Sequence, residues 1–251
     1  MIIAKSLELR AMSLSASIGQ AASRVAGAAV DLVYPKRCYV CGRHGHFLCP
    51  ACVPDLPRLR QPYCGLCAQP EKRMARLCPH CQQHPLDIDG IRSPYLMEGP
   101  VRNIVHALKY QGARAVAQPM GDLLAQYYLE ERLAADVLVP VPLHAKKERE
   151  RGYNQSALLA IAASQPLGLP VEAGALRRVR NTHSQARSVS SEERRVNVDK
   201  AFEAEAALVE GKRVLVIDDV CTTGATLEAC AIALREAGAT SVWGLTLARE
   251  A

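Results

Sequence analysis

Aromatic residues are scarce in this 251-residue chain: Phe, Trp and Tyr make up 4% of it, with a single Trp. A surface that stacks many bases on many rings is therefore excluded. Long hydrophobic runs are missing too. No stretch approaches the roughly 18–20 apolar residues that a membrane helix needs. The opening segment from Met1 to Val33 has no sustained apolar core of the secretory kind, since Asp31 interrupts it after Ala29-Val30. Strong net charge is also lacking. The 31 Lys/Arg and 25 Asp/Glu leave +6, and 11 against 6 of them fall in residues 1–90, a surplus of five. The first third is thus basic and the remainder nearly balanced. A basic module can attract nucleic acid; an ordinary solvated surface accounts for the same surplus. Length and a 49% apolar content fit one or two soluble domains.

Cysteine, by contrast, is concentrated. Eight of the ten cysteines lie between Cys38 and Cys81, in a Pro-rich stretch of short turns. They form C-x-x-C pairs: Cys38 with Cys41, Cys49 with Cys52, Cys64 with Cys67, and Cys78 with Cys81. Each pair makes a tight knuckle that aims two thiolates at one ion, and two knuckles complete a tetrahedral shell suited to structural Zn²⁺. So short a segment buries too little apolar surface to fold without a metal. Free thiols in this arrangement point to a reducing compartment, hence a cytoplasmic protein. An iron–sulfur cluster is a minor alternative. Spacing leaves the pairing open between sequential and interleaved; the sequential arrangement, two ribbons in tandem with two Zn²⁺, is the expectation. Closed Cys₄ shells leave no open position, so the role is structural. His44, His46, His80 and His84 read as surface residues beside full shells. Lys36, Arg37, Arg43, Arg58, Arg60, Lys72, Arg73 and Arg76 are candidate phosphate contacts, or simply solubilising.

The run VLVIDDVCTTGATLEAC, Val214 to Cys230, carries the chemistry. Four apolar residues predict a buried parallel strand. Asp218 and Asp219 follow at its carboxyl end, where open α/β sheets bind ligands. Thr222, Thr223, Gly224, Ala225 and Thr226 then lead into a helix. Free N–H groups and the helix dipole favour a phosphate there. Paired carboxylates beside such a cradle fit a phosphorylated sugar, with the acids on the ribose hydroxyls and the loop on the 5′-phosphate. A solvated turn and a Thr cap would explain each feature alone, but their immediate succession is much less common.

Elsewhere the spacing predicts a helical segment over residues 1–33. Further helices are expected over Val101–Tyr110, Ala117–Tyr128, Asn154–Ala163 and Ala225–Glu236, with strands over Val137–Val141, Val214–Ile217 and Ser241–Leu247. Alternating strands and helices imply a parallel α/β sheet. After the strand over Val137–Val141, Leu143 and His144 precede the cations Lys146, Lys147, Arg149 and Arg151, a set that fits pyrophosphate or a solvated basic helix start. Leu176 to Val198 is Arg-rich and aperiodic and reads as a long loop, able to close over a substrate, contact a nucleic-acid backbone, or simply line the surface.

The cysteine module, VHALKYQG (Val105 to Gly112), VPVPLH, RGYNQ, Arg178 with Thr182 and Gln185, Arg194 with Asn197, and IDDVCTTGAT occur in one order. Together they resemble the ComF (competence protein F) family of phosphoribosyltransferase-like proteins, from about Tyr34 onward. The IDDVCTTGAT segment itself is similar to the PRPP-binding signature of type I phosphoribosyltransferases. Beside the helical segment that the spacing predicts over 1–33, the resemblance implies a double zinc ribbon (34–90) and a type I phosphoribosyltransferase-like domain (91–251). It implies PRPP bound with Mg²⁺, with Asp218 and Asp219 on the ribose directly or through the ion. Thr222 to Thr226 would hold the 5′-phosphate, Leu143, His144, Lys146, Lys147 and Arg151 the pyrophosphate, and Arg178, Thr182 and Gln185 would belong to a flexible arm. It also implies work in nucleotide metabolism or on imported single-stranded DNA, without establishing competence. A homodimer is the candidate assembly, since such folds often dimerise. No general base stands out, so phosphoribosyl transfer is left without an acceptor. The competing reading is a non-catalytic single-stranded DNA binder using the same loop. The paired acids weigh against it, because they repel a polyanion unless Mg²⁺ intervenes.

Overall fold

A computed structural model of the chain describes residues 36–73, 76–179 and 201–251. The helical segment expected over 1–33, and Thr182, Gln185, Arg194 and Asn197 of the expected arm, lie outside these residues. The chain divides into two compact units, residues 1–50 and 51–251.

In the smaller unit the first C-x-x-C is a tight turn. Cys38 N–H donates to Arg43 O and Gly42 N–H to Cys38 O, both at 2.8 Å, and Arg37 bridges His44 antiparallel.

The larger unit is built on a parallel sheet. Its strands are β1 (Gly90–Arg92), β2 (Tyr95–Leu96), β3 (Val137–Pro140), β6 (Arg213–Cys221) and β7 (Ser241–Arg249), in the order β1-β7-β6-β3 with β2 also on β7. Between them run α1 (Pro79–Gln83), α2 (Gly99–Tyr110), α3 (Ala117–Glu130), α4 (Ala145–Arg151), α5 (Gln155–Leu167), a hairpin of β4 (Leu176–Arg178) and β5 (Phe202–Ala204), α6 (Ala206–Val209) and α7 (Ala225–Glu236). Val137 pairs with Val214 and Val214 with Val242, all parallel.

Burial on both faces explains the near-continuous apolar run of β6. Val214 and Val216 join Val137, Val139, Leu227, Cys230, Ala231 and Leu234 in one core, on the side of α7. The alternate residues Leu215 and Ile217, fully buried, face the other layer, where α5 packs on β3 and β6 and α3 packs on α5. That helix pair meets closely. A Cβ on Gly121 would stand 2.3 Å from the Ala162 Cβ, so only glycine fits there.

Helix α5 begins where its sequence says it should. Asn154 Oδ1 accepts from Ser156 N–H at 2.9 Å, while Asn154 Nδ2 donates to Val141 O at 2.9 Å, tying the cap to the end of β3.

Two boundaries differ from the sequence expectation. Strand β6 does not stop at Ile217 but runs through both acids to Cys221, because β7 continues beside it and pairs Asp218 with Thr246 and Cys221 with Arg249. And Leu176–Arg178, read as the start of a loop, is a strand paired antiparallel with Phe202–Ala204. Three residues are too few to show a period; a partner beyond residue 200 makes the strand.

Candidate functional site

The carboxyl end of β3 lies beside the middle of β6, just before its acids: Val141 N–H donates to Ile217 O at 2.9 Å. The two acids follow at once, and both are buried, Asp218 at 9% exposure and Asp219 at 3%. Asp218 Oδ1 accepts from the Ser156 hydroxyl at 2.7 Å and from Asp219 N–H at 2.9 Å. Lys109, in the last turn of α2, brings its Nζ to 2.7 Å from Asp219 Oδ2. That contact is ionic only, for Oδ2 is buried and accepts no hydrogen bond. Burial, and then the neighbouring Asp219 charge, push the Asp218 carboxyl up to about 7 against the pull of Ser156, the Asp219 N–H and Lys109. Crowded carboxylates with one oxygen free of hydrogen bonds form a site that gains from a cation or a donor hydroxyl. Their hard oxygen donors suit Mg²⁺, and equally the hydroxyls of a sugar.

The phosphate-type loop follows directly. Thr222, Thr223, Ala225 and Thr226 are exposed, while Gly224 is buried at φ +90°. A Cβ there would come within 2.8 Å of Leu86 Cδ1 and 3.1 Å of Ile91 Cδ1, so the turn is reserved for glycine on both counts. Gly224 caps α7 without a side-chain hydrogen bond. Ala225 N–H reaches Thr223 Oγ1 only at 3.3 Å. The amino end of a 12-residue helix is thus open beside the acids.

After β3 the structure winds Ala145–Arg151 into a short exposed helix. Leu143 and His144 remain in the preceding turn, and His144 Nδ1 accepts from Lys146 N–H at 3.2 Å as the cap. Lys146 and Lys147 are exposed, and Lys146 stands 4.0 Å from Glu150. Arg151 binds Gln155 Oε1 and lies 5.5 Å from the ring centre of Tyr110. Arg178 ends β4 with its guanidinium 5.5 Å from the ring centre of Phe202.

The eight thiols gather as two sequential quartets, Cys38/Cys41/Cys49/Cys52 and Cys64/Cys67/Cys78/Cys81, with the sulfurs of each within 4.8 Å of one another. No histidine joins either quartet, so the four nearby histidines are not ligands among the described residues. The first cysteine of each ribbon is prepared in the same way. Burial acts to raise the Cys38 thiol, but the N–H groups of Cys41, Cys49 and Val40 outweigh it and bring it down to about 6. At Cys64, burial is likewise outweighed by Cys67, Cys78 and Leu66, giving about 7. Burial pushes Cys67 up to about 11 and Cys81 higher still. A bound metal would draw these protons off. Soft thiolates in tight fours fit Zn²⁺, whose four-coordinate shell they complete.

Three residues that the structure brings to the site are given no role by the sequence reading: Lys109, Ser156 and Arg249. Lys109 lies within the VHALKYQG stretch, where helical spacing gives no hint of its partner. Ser156 sits just after a cap residue. Arg249, 3% exposed, ends an apolar strand, and a charge in that place is the one visible clue. Its guanidinium donates to Cys221 O at 3.0 Å, Glu250 O at 2.7 Å and Cys67 O at 3.0 Å, and also to Thr222 O and Gln69 Oε1.

A parallel sheet with paired acids in the last residues of a central strand, a glycine-opened helix beyond them and two Cys₄ ribbons defines a phosphoribosyltransferase-fold protein with a double zinc ribbon. Family models agree: "Double zinc ribbon domain" matches residues 29–82 and "Phosphoribosyl transferase domain" residues 144–250. The chain is 31% identical over 229 residues to Competence protein F of Haemophilus influenzae, covering 84% of this chain and 97% of that one. It is 31% identical over 225 residues to the DNA utilization protein YhgH of Salmonella typhimurium, covering 85% and 98%. Among solved structures, the glutamine phosphoribosylpyrophosphate amidotransferase from B. subtilis complexed with ADP and GMP aligns at 29% identity and a TM-score of 0.38, over 51% of this chain and 26% of that one. The chain belongs to the ComF family. Among the described residues no helix is long and apolar enough to cross a membrane.

Proposed function

We propose that this protein binds a ribose 5-phosphate group, PRPP being the prime candidate, together with Mg²⁺. The observation that carries this reading is the buried pair of adjacent carboxylates, with Asp219 Oδ2 held by the Lys109 ammonium alone, one short loop from the open amino end of α7. Asp218 and Asp219 take the ribose hydroxyls. Thr222, Thr223, Gly224, Ala225 and Thr226 take the 5′-phosphate through N–H and hydroxyl donors. Leu143, His144, Lys146, Lys147 and Arg151 follow the neighbouring strand end and serve the pyrophosphate; Arg178, held in β4, and Thr182 and Gln185, outside the described residues, are the remaining candidates for it. Mg²⁺ would neutralise the diphosphate and let the two carboxylates approach it. Phosphoribosyl transfer is the reaction such a site supports, by positioning and charge, and it is left here without an assigned acceptor or base.

The relatives' names bring a second element. Proteins called Competence protein F and DNA utilization protein suggest that the ligand is used in handling imported DNA or its nucleotides, in a reducing cytoplasm that keeps the thiols free for metal. In that setting single-stranded DNA is a second partner, met by the basic first third.

Isothermal titration with PRPP and Mg²⁺, on wild type and on Asp218→Ala/Asp219→Ala, tests the ligand. Binding that needs Mg²⁺ and vanishes in the double variant is expected; equal binding by both proteins would sink the ribose reading. Single-strand binding titrated with salt tests the DNA role, and affinity that ignores salt would count against it.

A further inference from the structure

The second ribbon is keyed into the sheet through the carbonyls of its first knuckle. Gly65 O accepts from Arg92 NH1 at 3.0 Å, Leu66 O from Ile91 N–H at 2.7 Å and Cys67 O from Arg249 Nε at 3.0 Å. Three successive carbonyls of one metal knuckle are thus bound by β1 and β7. The same neighbourhood reaches the phosphate loop. Leu86, packed against the thiol quartet, would be the first atom group met by a Cβ on Gly224. Asp87 N–H donates to Glu228 Oε1, in the first turn of α7, at 3.1 Å.

Arg249 joins the two sides directly. Its fork holds Cys67 and Gln69 of the ribbon with one set of donors, and Cys221 and Thr222 at the start of the loop with another. The acceptors of this buried guanidinium among the described residues are all neutral oxygens, four backbone carbonyls and the Gln69 amide. An uncompensated buried cation is costly. It is least costly between two anions, and a zinc–tetrathiolate unit and a ligand phosphate are both anionic.

We propose that Arg249 is a positioning residue that couples the second zinc ribbon to the phosphate loop, so that metal in the Cys64/Cys67/Cys78/Cys81 site holds residues 221–226 in their anion-binding shape. With zinc bound, the knuckle carbonyls are fixed, the guanidinium is aimed, and the Cys221 and Thr222 carbonyls are turned away from the anion. Loss of the metal, by chelation or thiol oxidation, frees the knuckle and slackens the loop. The role of the loop as a phosphate cradle rests on the preceding functional reading; the mechanical coupling does not.

Hydrogen exchange of residues 221–226 reads the coupling without a ligand. It is measured on zinc-loaded wild type, on Cys81→Ser, which opens the second quartet, on Arg249→Lys, which keeps the charge but loses the fork, and on the double variant. Cys81→Ser and Arg249→Lys should each speed exchange about tenfold, in line with local opening free energies. Arg249→Lys should retain two zinc ions, and opening the quartet in its background should add less than about twofold. Should Arg249→Lys fail to fold, Gln69→Ala removes one acceptor of the fork and should give a smaller rise of the same kind. Unchanged exchange in Cys81→Ser, or the same tenfold increment with and without Arg249, would overturn the coupling. If wild type fails to bind PRPP while the exchange pattern holds, the ligand assignment falls and the coupling stands.

Discussion

Lys109 and Asp219 form a contact of 2.7 Å between the last turn of a helix and the end region of β6, at a fully buried carboxylate oxygen that no other group of the described residues approaches as a hydrogen-bond donor. The ammonium offsets part of the repulsion between adjacent buried acids and stands where a cation is wanted. Replacing Lys109 by Met removes that compensation while preserving most of the packing. The variant should lose about 1–3 kcal/mol at pH 8 by urea unfolding, less than a fully buried pair would cost because Lys109 keeps some solvent contact. Millimolar Mg²⁺ should restore more stability to the variant than to wild type. Equal stability of the two proteins at pH 8 would show that the contact is ornamental.

Asp218 gives the protein a pH signature. Its folded value, about 7, lies above the ordinary carboxylate value of 3.8. The group therefore contributes its full stability below pH 4 and loses it as pH rises through 7. The slope approaches at most about 1.4 kcal/mol per pH unit. Wild-type unfolding free energy should fall between pH 4 and pH 7, and Asp218→Asn should flatten that fall. Parallel curves for the two proteins would assign the pH dependence elsewhere.

Gly224→Ala tests the loop. The substitution meets both a left-handed backbone and a 2.8 Å approach to Leu86. A loss of roughly 1–3 kcal/mol is expected in thermal unfolding, with PRPP-induced stabilisation abolished. Adding Leu86→Ala should relieve the clash but not the backbone strain, so rescue should be partial.

Gly121→Ala is the contrasting case, remote from the loop and set by a 2.3 Å approach to the Ala162 Cβ. It should lower stability by about 1–3 kcal/mol through overpacking of α3 on α5, while PRPP affinity of the folded fraction stays within about twofold of wild type. Coupled loss of affinity would mean that the helical layer also shapes the site.

Two quartets of thiols predict two zinc ions per chain. Elemental analysis of protein purified without chelator should give that ratio, and a value near one would refute one of the ribbons.

Much of this was visible in the chain because the information is local. The four C-x-x-C pairs, the apolar run of β6, and the Gly224 turn into α7 each spell out their structure within a few residues; α7 spans Ala225–Glu236, the same residues its periodicity marks. The apolar run sets the acids just past the end of a strand at Ile217, whereas the strand runs four residues further, since the extension depends on β7 alongside. Short strands such as Gly90–Arg92 and Leu176–Arg178 are defined by distant partners and leave no period. The partners of Lys109, Ser156 and Arg249 were equally out of reach: a carboxylate 110 residues on for Lys109, a carboxylate 62 residues on for Ser156, and backbone carbonyls for Arg249, which no residue pattern can announce.

The bond from Arg249 to Cys67 spans 182 residues, and this separation sets an order of assembly. As the chain emerges from the ribosome the second ribbon is complete, and can take up its metal, long before β7 exists to receive it. Edge strand β1, which grips the same knuckle, also waits for β7, its only partner strand among the described residues. The ribbon is thus made before the sheet edge that it contacts, and Arg249, which binds the carbonyls of Cys221 and Thr222, is made only after the loop they begin. A chain short of zinc during synthesis would reach that final step with nothing to close upon, so metal scarcity should show itself as misfolded newly made protein before it shows as lost binding in protein already folded.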